Sequence, residues 1–492
     1  MAWTASPIST AVVVRIFIRR NLQKTWTLPP GTSGGTMIKS EGGVKMIRNT
    51  IQAIVLLLVS IAANAEPQVL SMRDRAAVID QWMTTRVETV LPNLMRRADI
   101  DMWVIVSREY NEDPVIRTML PSTWHAARRT TILLIYDRGE GQPLETLSVS
   151  RYSVGEIFAG AWNKEEDGEQ WAHLGKLIDE RDPKRIALNY SETFPLADGI
   201  SHSEYELFHR GLPERLHERV VSSEPLAVGW LETRTPDEIV VYQQIVRIAH
   251  EILAEGLSDA VIQPGVTTTE DVVWWYRDRI RELKLTTWFQ PSVSIDRAEA
   301  PEKSMGDWAL HRYDSDVIMP GDLLHVDFGI QYLRLNTDTQ QNAYVLKPGE
   351  TDAPDDLKAA LANGNRLQDI LTGQFESGKS GNKILADALA QANREGITPS
   401  IYTHPIGYHG HAAGPTIGMW DNQGDTPGRG DYPLYPNTAH SIELYAETDV
   451  PSWGKAVRIK LEEDAFFDGE NTWYIDGRQK EFLLIPRVPP VQ

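Results

Sequence analysis

The chain has no cysteine. That excludes disulfides, thiol nucleophiles and cysteine-zinc sites, and it leaves no cysteine to carry a lipid anchor. Long apolar runs are scarce too. The run from Ile51 to Ile61 is too short to cross a bilayer as a helix. There is no low-complexity tract and no repeat at solenoid periods. Basic charge is in deficit, with 49 Lys and Arg against 68 Asp and Glu. Residues 1–65 hold seven Lys/Arg and one Glu, so the formal −19 of the whole becomes −25 for residues 66–492. Such a charge disfavours nucleic-acid backbones and anionic membrane surfaces as partners.

What is present is ordinary globular sequence: 41% apolar, 24% charged, and at 492 residues long enough for two to four domains with real cores. The start of the chain carries a further pattern. Met46-Ile-Arg-Asn, the apolar run to Ile61 and Ala63-Asn64-Ala65 have the layout of a secretory signal with a small-residue cleavage site. Residues 46–65 are therefore expected to be a signal peptide, residues 1–45 an upstream extension, and Glu66 the mature start of an exported (periplasmic or secreted) protein. A short retained anchor is the competing reading. Arg19-Arg20 lies too far before the apolar run to be its twin-arginine signal.

Apolar spacing of three and four predicts helix over 66–100. Strand candidates at Met102–Val106, Thr131–Tyr136 and Arg185–Tyr190 alternate with helices, which predicts an α/β domain over roughly 66–225. Thr235-Pro236-Asp237-Glu238 reads as an N-cap, a first-turn proline and a reciprocal glutamate opening a helix. Thr267-x-x-Glu270 reads as a second capping box. Strands are expected near Ser292, at Leu323–Phe328 and at Ala343–Leu346, helices at Asp356–Leu371 and Asn382–Glu395, and strands and loops thereafter.

Five residues of the last third stand out: Asp327, Asp338, His404, Glu443 and Glu462. Asp327 ends the apolar strand Leu323-Leu-His-Val, and Gly329 lets the chain turn back toward Asp338. His404-x-x-Gly407-x-x-x-His411 is a glycine- and proline-rich loop. Glu443 and Glu462 sit in strand-like segments, where an inward acid is costly unless it is paired or metal-bound. Each alone reads more readily as structural: a strand end, a turn, a solvated edge-strand acid or a hydrogen-bonded histidine. Together, four carboxylates and one imidazole suit a pair of hard-to-borderline divalent cations.

With these motifs, and with His311 in ALHRYDSD and the Pro-Gly-Asp before Leu323, the segment from about Leu231 to the end resembles the creatinase, aminopeptidase P and prolidase family of pita-bread metallopeptidases. The resemblance implies an α+β pita-bread catalytic domain over 231–492 behind an α/β N-terminal domain over 66–230. It implies that Asp327 binds one metal ion, that Asp338 and Glu462 bridge two, and that His404 and Glu443 complete the second. His311 and His411 would line the cleft and hydrogen-bond the scissile carbonyl, and Glu443 would also move the proton. The implied activity is release of an N-terminal residue from peptides, with proline in the second position, by a metal-bridging hydroxide. Manganese is the usual family metal, and zinc, cobalt or iron suit the same donors. A homodimer or larger homo-oligomer is implied as well.

The sequence departs from the family pattern in places. Asp338-Thr339-Gln340-Gln341 stands where the family often has Asp-x-Thr-Arg, Glu443-Leu-Tyr where it often has Glu-Pro-Gly, and Lys460 where an Arg is common. Glu463 competes with Glu462 for the last ligand position. His325 and His440 are candidate supports for the ligands or plain strand packing. Gly373-x-x-x-x-Gly378-Lys379-Ser380 has the phosphate-loop pattern, but a helix precedes it rather than the required strand, so a helix-to-helix loop with a capping serine is expected. Other readings keep the fold but act on another amide, as a dipeptidase or a creatinase-like enzyme, or bind without catalysis.

Overall fold

The computed structural model describes residues 69–300 and 315–487. The expected extension, signal peptide and cleavage site lie outside the described residues, as does His311. From Ser71 onward the chain forms one compact unit.

Two helices, α1 (Met72–Thr89) and α2 (Leu91–Arg97), lead into a six-stranded sheet. Its strands are β1 (Met102–Arg108), β2 (Thr130–Tyr136), β3 (Glu145–Ser148), β4 (Ala159–Gly160), β5 (Ile186–Leu188) and β6 (Val220–Ser222), in the order β4-β3-β2-β1-β5-β6. β1 runs antiparallel to β2 and parallel to β5. The runs in β1 and β2 are buried on both faces, which is why they read as continuous apolar sequence rather than as an alternation. Helices α3 (Gln170–Arg181) and α4 (His202–Gly211) add Trp171, Leu174, Ile178 and Phe208 to that core.

Beyond α5 (Glu224–Glu232), Thr235 and Glu238 form the expected capping box at the start of α6 (Pro236–Gly256). The second capping box is displaced by one residue. Thr268 and Asp271 cap α7 (Thr269–Glu282), because the Thr267 hydroxyl is already taken by the Gln263 amide in the preceding turn. Strands β7 (Ser292–Asp296), β8 (Leu323–Phe328), β9 (Thr339–Val345) and the late β17 (Leu483–Ile485) make a sheet of order β17-β9-β8-β7. Helices α8 (Asp355–Thr372) and α9 (Gly381–Arg394) follow, with Ser380 capping α9 at the end of the phosphate-loop look-alike. Seven strands complete the fold: β10 (Thr398–Ile401), β11 (His404–Ile406), β12 (Thr438–Ser441), β13 (Leu444–Val450), β14 (Lys455–Leu461), β15 (Asp464–Phe467) and β16 (Thr472–Tyr474). They form one sheet of order β10-β13-β14 and another of order β11-β12-β15-β16. This is the α/β plus pita-bread architecture expected. Among the described residues no helix is long and apolar enough to cross a membrane.

Buried charge ties the N-terminal helices to the rest. Arg86 of α1 and Glu238 of α6 pair at 2.9 Å with both side chains fully buried, and Arg234 flanks the same carboxylate at 3.6 Å. The Tyr408 hydroxyl donates to Glu238 Oε1 at 2.9 Å, and the Thr235 amide to Oε2 at 2.7 Å.

Glu232 is less well served. It is buried, takes one hydrogen bond from the Tyr432 hydroxyl, and has Arg97 at 3.8 Å. Burial pushes its pKa up to about 8, against the counter-pull of Arg97 and Tyr432. The folded protein thus holds a proton that the unfolded chain releases near 4.5, so stability falls as pH rises between those values. Replacing Glu232→Gln should remove that slope, on the order of 1.4 kcal/mol per pH unit. Urea midpoints at pH 5 and pH 8 measure it, and identical pH dependence in the two proteins would refute the assignment.

Candidate metal centre

The centre is built from separate segments that meet at sheet edges. Gln340 lies opposite Asp327 in the β8–β9 register, so the turn between the strands brings Asp338 beside Asp327. That turn needs Gly329, because a Cβ there would sit 2.3 Å from the Thr337 carbonyl and 2.7 Å from the Phe289 ring. His404 opens β11 and pairs with Ser441 of β12. Glu443 occupies the step between β12 and β13, and Glu462 follows β14, where its backbone bridges to Gln340.

Donor atoms of Asp327, Asp338 and Glu462 lie within 4.8 Å of one another, as do those of His404, Glu443 and Glu462. Glu462 belongs to both triads. His404 Nε2 is 3.4 Å from Glu462 Oε1, 3.6 Å from Asp338 Oδ2 and 4.0 Å from Glu443 Oε2. On the other side of the ring, Nδ1 lies 3.0 Å from the Pro405 carbonyl. A carbonyl only accepts, so Nδ1 carries the hydrogen and the lone pair of Nε2 faces the carboxylates. His404 Nε2 and Asp338 Oδ1 are buried without a hydrogen-bond partner. Lone pairs and acids facing each other out of water are unstable unless protons or cations lie between them. Burial, reinforced by Glu462, Asp327, Glu443 and Asp464, drives the Asp338 pKa well above the usual carboxylate range. This donor set fits divalent cations: Asp327, Asp338 and Glu462 would hold one ion, and His404, Glu443 and Glu462 a second.

His411 is exposed and stands beside the centre, its ring 4.7 Å from that of His404 and 5.1 Å from that of Trp288. Trp288 reaches this position because residue 410 is glycine, where a Cβ would fall 2.2 Å from the indole.

The alternatives left open by the sequence separate here. Glu462 faces the cluster. Glu463 points to the opposite side, onto His250 at 2.7 Å and the amide of Gln341 at 3.1 Å. Burial would depress the His250 pKa, but Glu463 and Asp476 raise it to about 10, so His250 is the cation that pairs with Glu463. His440 is packing: it is buried against the Phe375 ring, its ring nitrogens have no hydrogen-bond partner, and burial pushes its pKa down to about 3. His325 instead joins the cluster's support, with its Nε2 2.8 Å from Gln340 Oε1. Gln340, Ser441, Asp464 and His250 escaped the sequence reading as supports. The polar run Thr339-Gln-Gln-Asn342 directly after Asp338 was the available signal.

No curated protein matches the chain in sequence. Residues 244–463, which contain all five cluster residues, match the family model described as metallopeptidase family M24. An X-Pro aminopeptidase from Thermotoga maritima has a similar fold, at 18% identity and TM-score 0.55, over 80% of this chain and 99% of that one. So does an Xaa-Pro dipeptidase from Bacillus anthracis, at 17% identity and TM-score 0.53, over 82% and 99%. The N-terminal domain of a FACT complex subunit from Cicer arietinum (chickpea) also shares it, at 10% identity and TM-score 0.51, over 83% and 99%. At these identities the likeness is one of fold. The match over residues 244–463 bears out the resemblance to the creatinase, aminopeptidase P and prolidase family of metallopeptidases.

Proposed function

We propose that the protein is an exported dinuclear metallo-aminopeptidase that releases the N-terminal residue of peptides, with proline favoured in the second position. The observation that carries this reading is the pair of donor triads sharing Glu462, since a carboxylate common to two sites is what a bridging ligand requires. Two divalent cations, manganese first among those the donors suit, would supply a water of lowered pKa and polarise the scissile carbonyl.

The protein's own groups do the rest. The Pro405 carbonyl fixes the His404 tautomer and aims Nε2 at the cluster. Ser441 donates to Glu462 Oε1 at 2.7 Å and holds that carboxylate in place. Glu443 would take the proton from the attacking water and pass it to the departing nitrogen. His411, with its ring 4.7 Å from that of His404, would donate a hydrogen bond to the carbonyl oxygen as charge develops. Residues 46–65 as the export signal, His311 as a second cleft histidine, and a homo-oligomeric state belong to the same proposal.

The test is hydrolysis of Xaa-Pro peptides of two to five residues by chelated protein, before and after manganese is restored. Release of the N-terminal residue only with metal is the expected result. Cleavage confined to dipeptides would make the protein a dipeptidase. Two bound metals without cleavage would move the substrate to another amide or favour a binding role. No bound metal would sink the proposal.

A further inference from the structure

We infer that Gln340 is the positioning residue for Glu443 and Glu462, and that His325 sets the orientation of its amide. The inference rests on the metal-centre reading above. Gln340 is buried in β9, and its backbone N–H donates to the Glu462 carbonyl at 2.9 Å. Its side-chain nitrogen donates to Glu462 Oε2 at 2.8 Å and to Glu443 Oε1. Its side-chain oxygen lies 2.8 Å from His325 Nε2.

The donor inventory makes this arrangement one-way. Carboxylate oxygens only accept, so the amide nitrogen must face both glutamates. The amide oxygen then faces His325, whose Nε2 must carry the hydrogen. With Nε2 as donor, Nδ1 is left to accept from the Ser294 hydroxyl at 3.4 Å. Each glutamate therefore has one oxygen tied to Gln340 and the other turned toward His404, at 3.4 Å for Glu462 Oε1 and 4.0 Å for Glu443 Oε2.

An amide suits this task for two reasons. It offers two donors, so one side chain fixes the spacing of two carboxylates from distant segments, whereas a hydroxyl offers one. It is also neutral, so it restrains the acids without cancelling the charge that attracts cations. Both adjacent acids accept from a glutamine amide, Glu462 from Gln340 and Glu463 from Gln341, and Glu463, on the far side, is in addition paired with the His250 cation.

The test compares four forms of the full protein, each stripped of metal and titrated with manganese by calorimetry, with thermal melts as a check of folding. The forms are the wild type, Gln340→Leu, His325→Leu and His325→Gln. Gln340→Leu should weaken manganese binding by about 10–100-fold, the usual scale for losing a group that orients ligands. His325→Leu should weaken it in the same direction through loss of the hydrogen bond to the Gln340 amide oxygen, and His325→Gln, which can still donate to that oxygen, should restore it. Turnover in Gln340→Leu should fall at limiting manganese and recover at excess, with KM for peptide unchanged. If wild type binds two ions and every variant matches it, the positioning role is overturned and the metal centre stands. If His325→Gln is as weak as His325→Leu, packing rather than donation is at work and the inference is again overturned. If wild type binds no manganese, the metal-centre reading itself fails. Should Gln340→Leu not fold, the two His325 variants carry the test.

Discussion

Asp338→Ala should abolish metal-restored peptide hydrolysis while leaving the protein folded. Asp338 lies within reach of Asp327 and Glu462 and 3.6 Å from the His404 imidazole, so its loss removes one donor of the Asp327–Asp338–Glu462 triad. Losing a metal's contribution to a developing charge costs several kcal/mol, on the order of 10^3-fold in rate. The stability effect should have the opposite sign. Without metal, the wild type buries Asp338 among four other acids that oppose its ionisation. Removing it relieves that repulsion, so the metal-free variant should melt at or above the metal-free wild type. Added manganese should then raise the melting temperature of the wild type and leave the variant unmoved. Calorimetric melts with and without manganese, beside initial rates, decide it. A metal-free variant well below wild type would mean that Asp338 is structural.

The second large effect is expected at Glu238→Gln. Burial alone would raise the Glu238 pKa, but Arg86 and Arg234 prevail and hold it below the ordinary range. The substitution keeps the shape and leaves two guanidinium groups buried without a counter-charge. Breaking a buried pair in this way costs about 3–5 kcal/mol. Because the folded pKa is depressed, the carboxylate's contribution is present above the unfolded value near 4.5 and fades as pH falls below it. Wild type and variant should therefore differ most at neutral pH and converge in acid, as urea unfolding at pH 7 and pH 4 would show. A difference that does not depend on pH would mean that the charge is not what matters.

Much of this was legible beforehand, for identifiable reasons. The helix at Pro236 was readable because Thr235 and Glu238 form a capping box, a local device. The strands Met102–Arg108 and Thr130–Tyr136 were readable because burial on both faces leaves an unbroken apolar run. Thr339–Asn342 was not read as strand, because its residues are polar, and it is strand only because each amide meets a partner from elsewhere. Gln341 donates to Glu463 and Asn342 to the Lys460 carbonyl. The choice between Glu462 and Glu463 was undecidable for the same reason. Strand alternation sends them to opposite faces, and only the partners, His404 on one side and His250 on the other, tell the faces apart.

The centre draws its donors from β8, the edge of β9, β11, the step before β13 and the end of β14, spread over three sheets. No two of the five are neighbours in sequence. A nascent or half-folded chain therefore lacks this donor set, and cation uptake at this centre must come after the sheets have met. Metal content in a preparation would accordingly gauge how many molecules have completed folding. An ion chosen at that late stage would be chosen by a finished cage, from whatever the surrounding medium then offers.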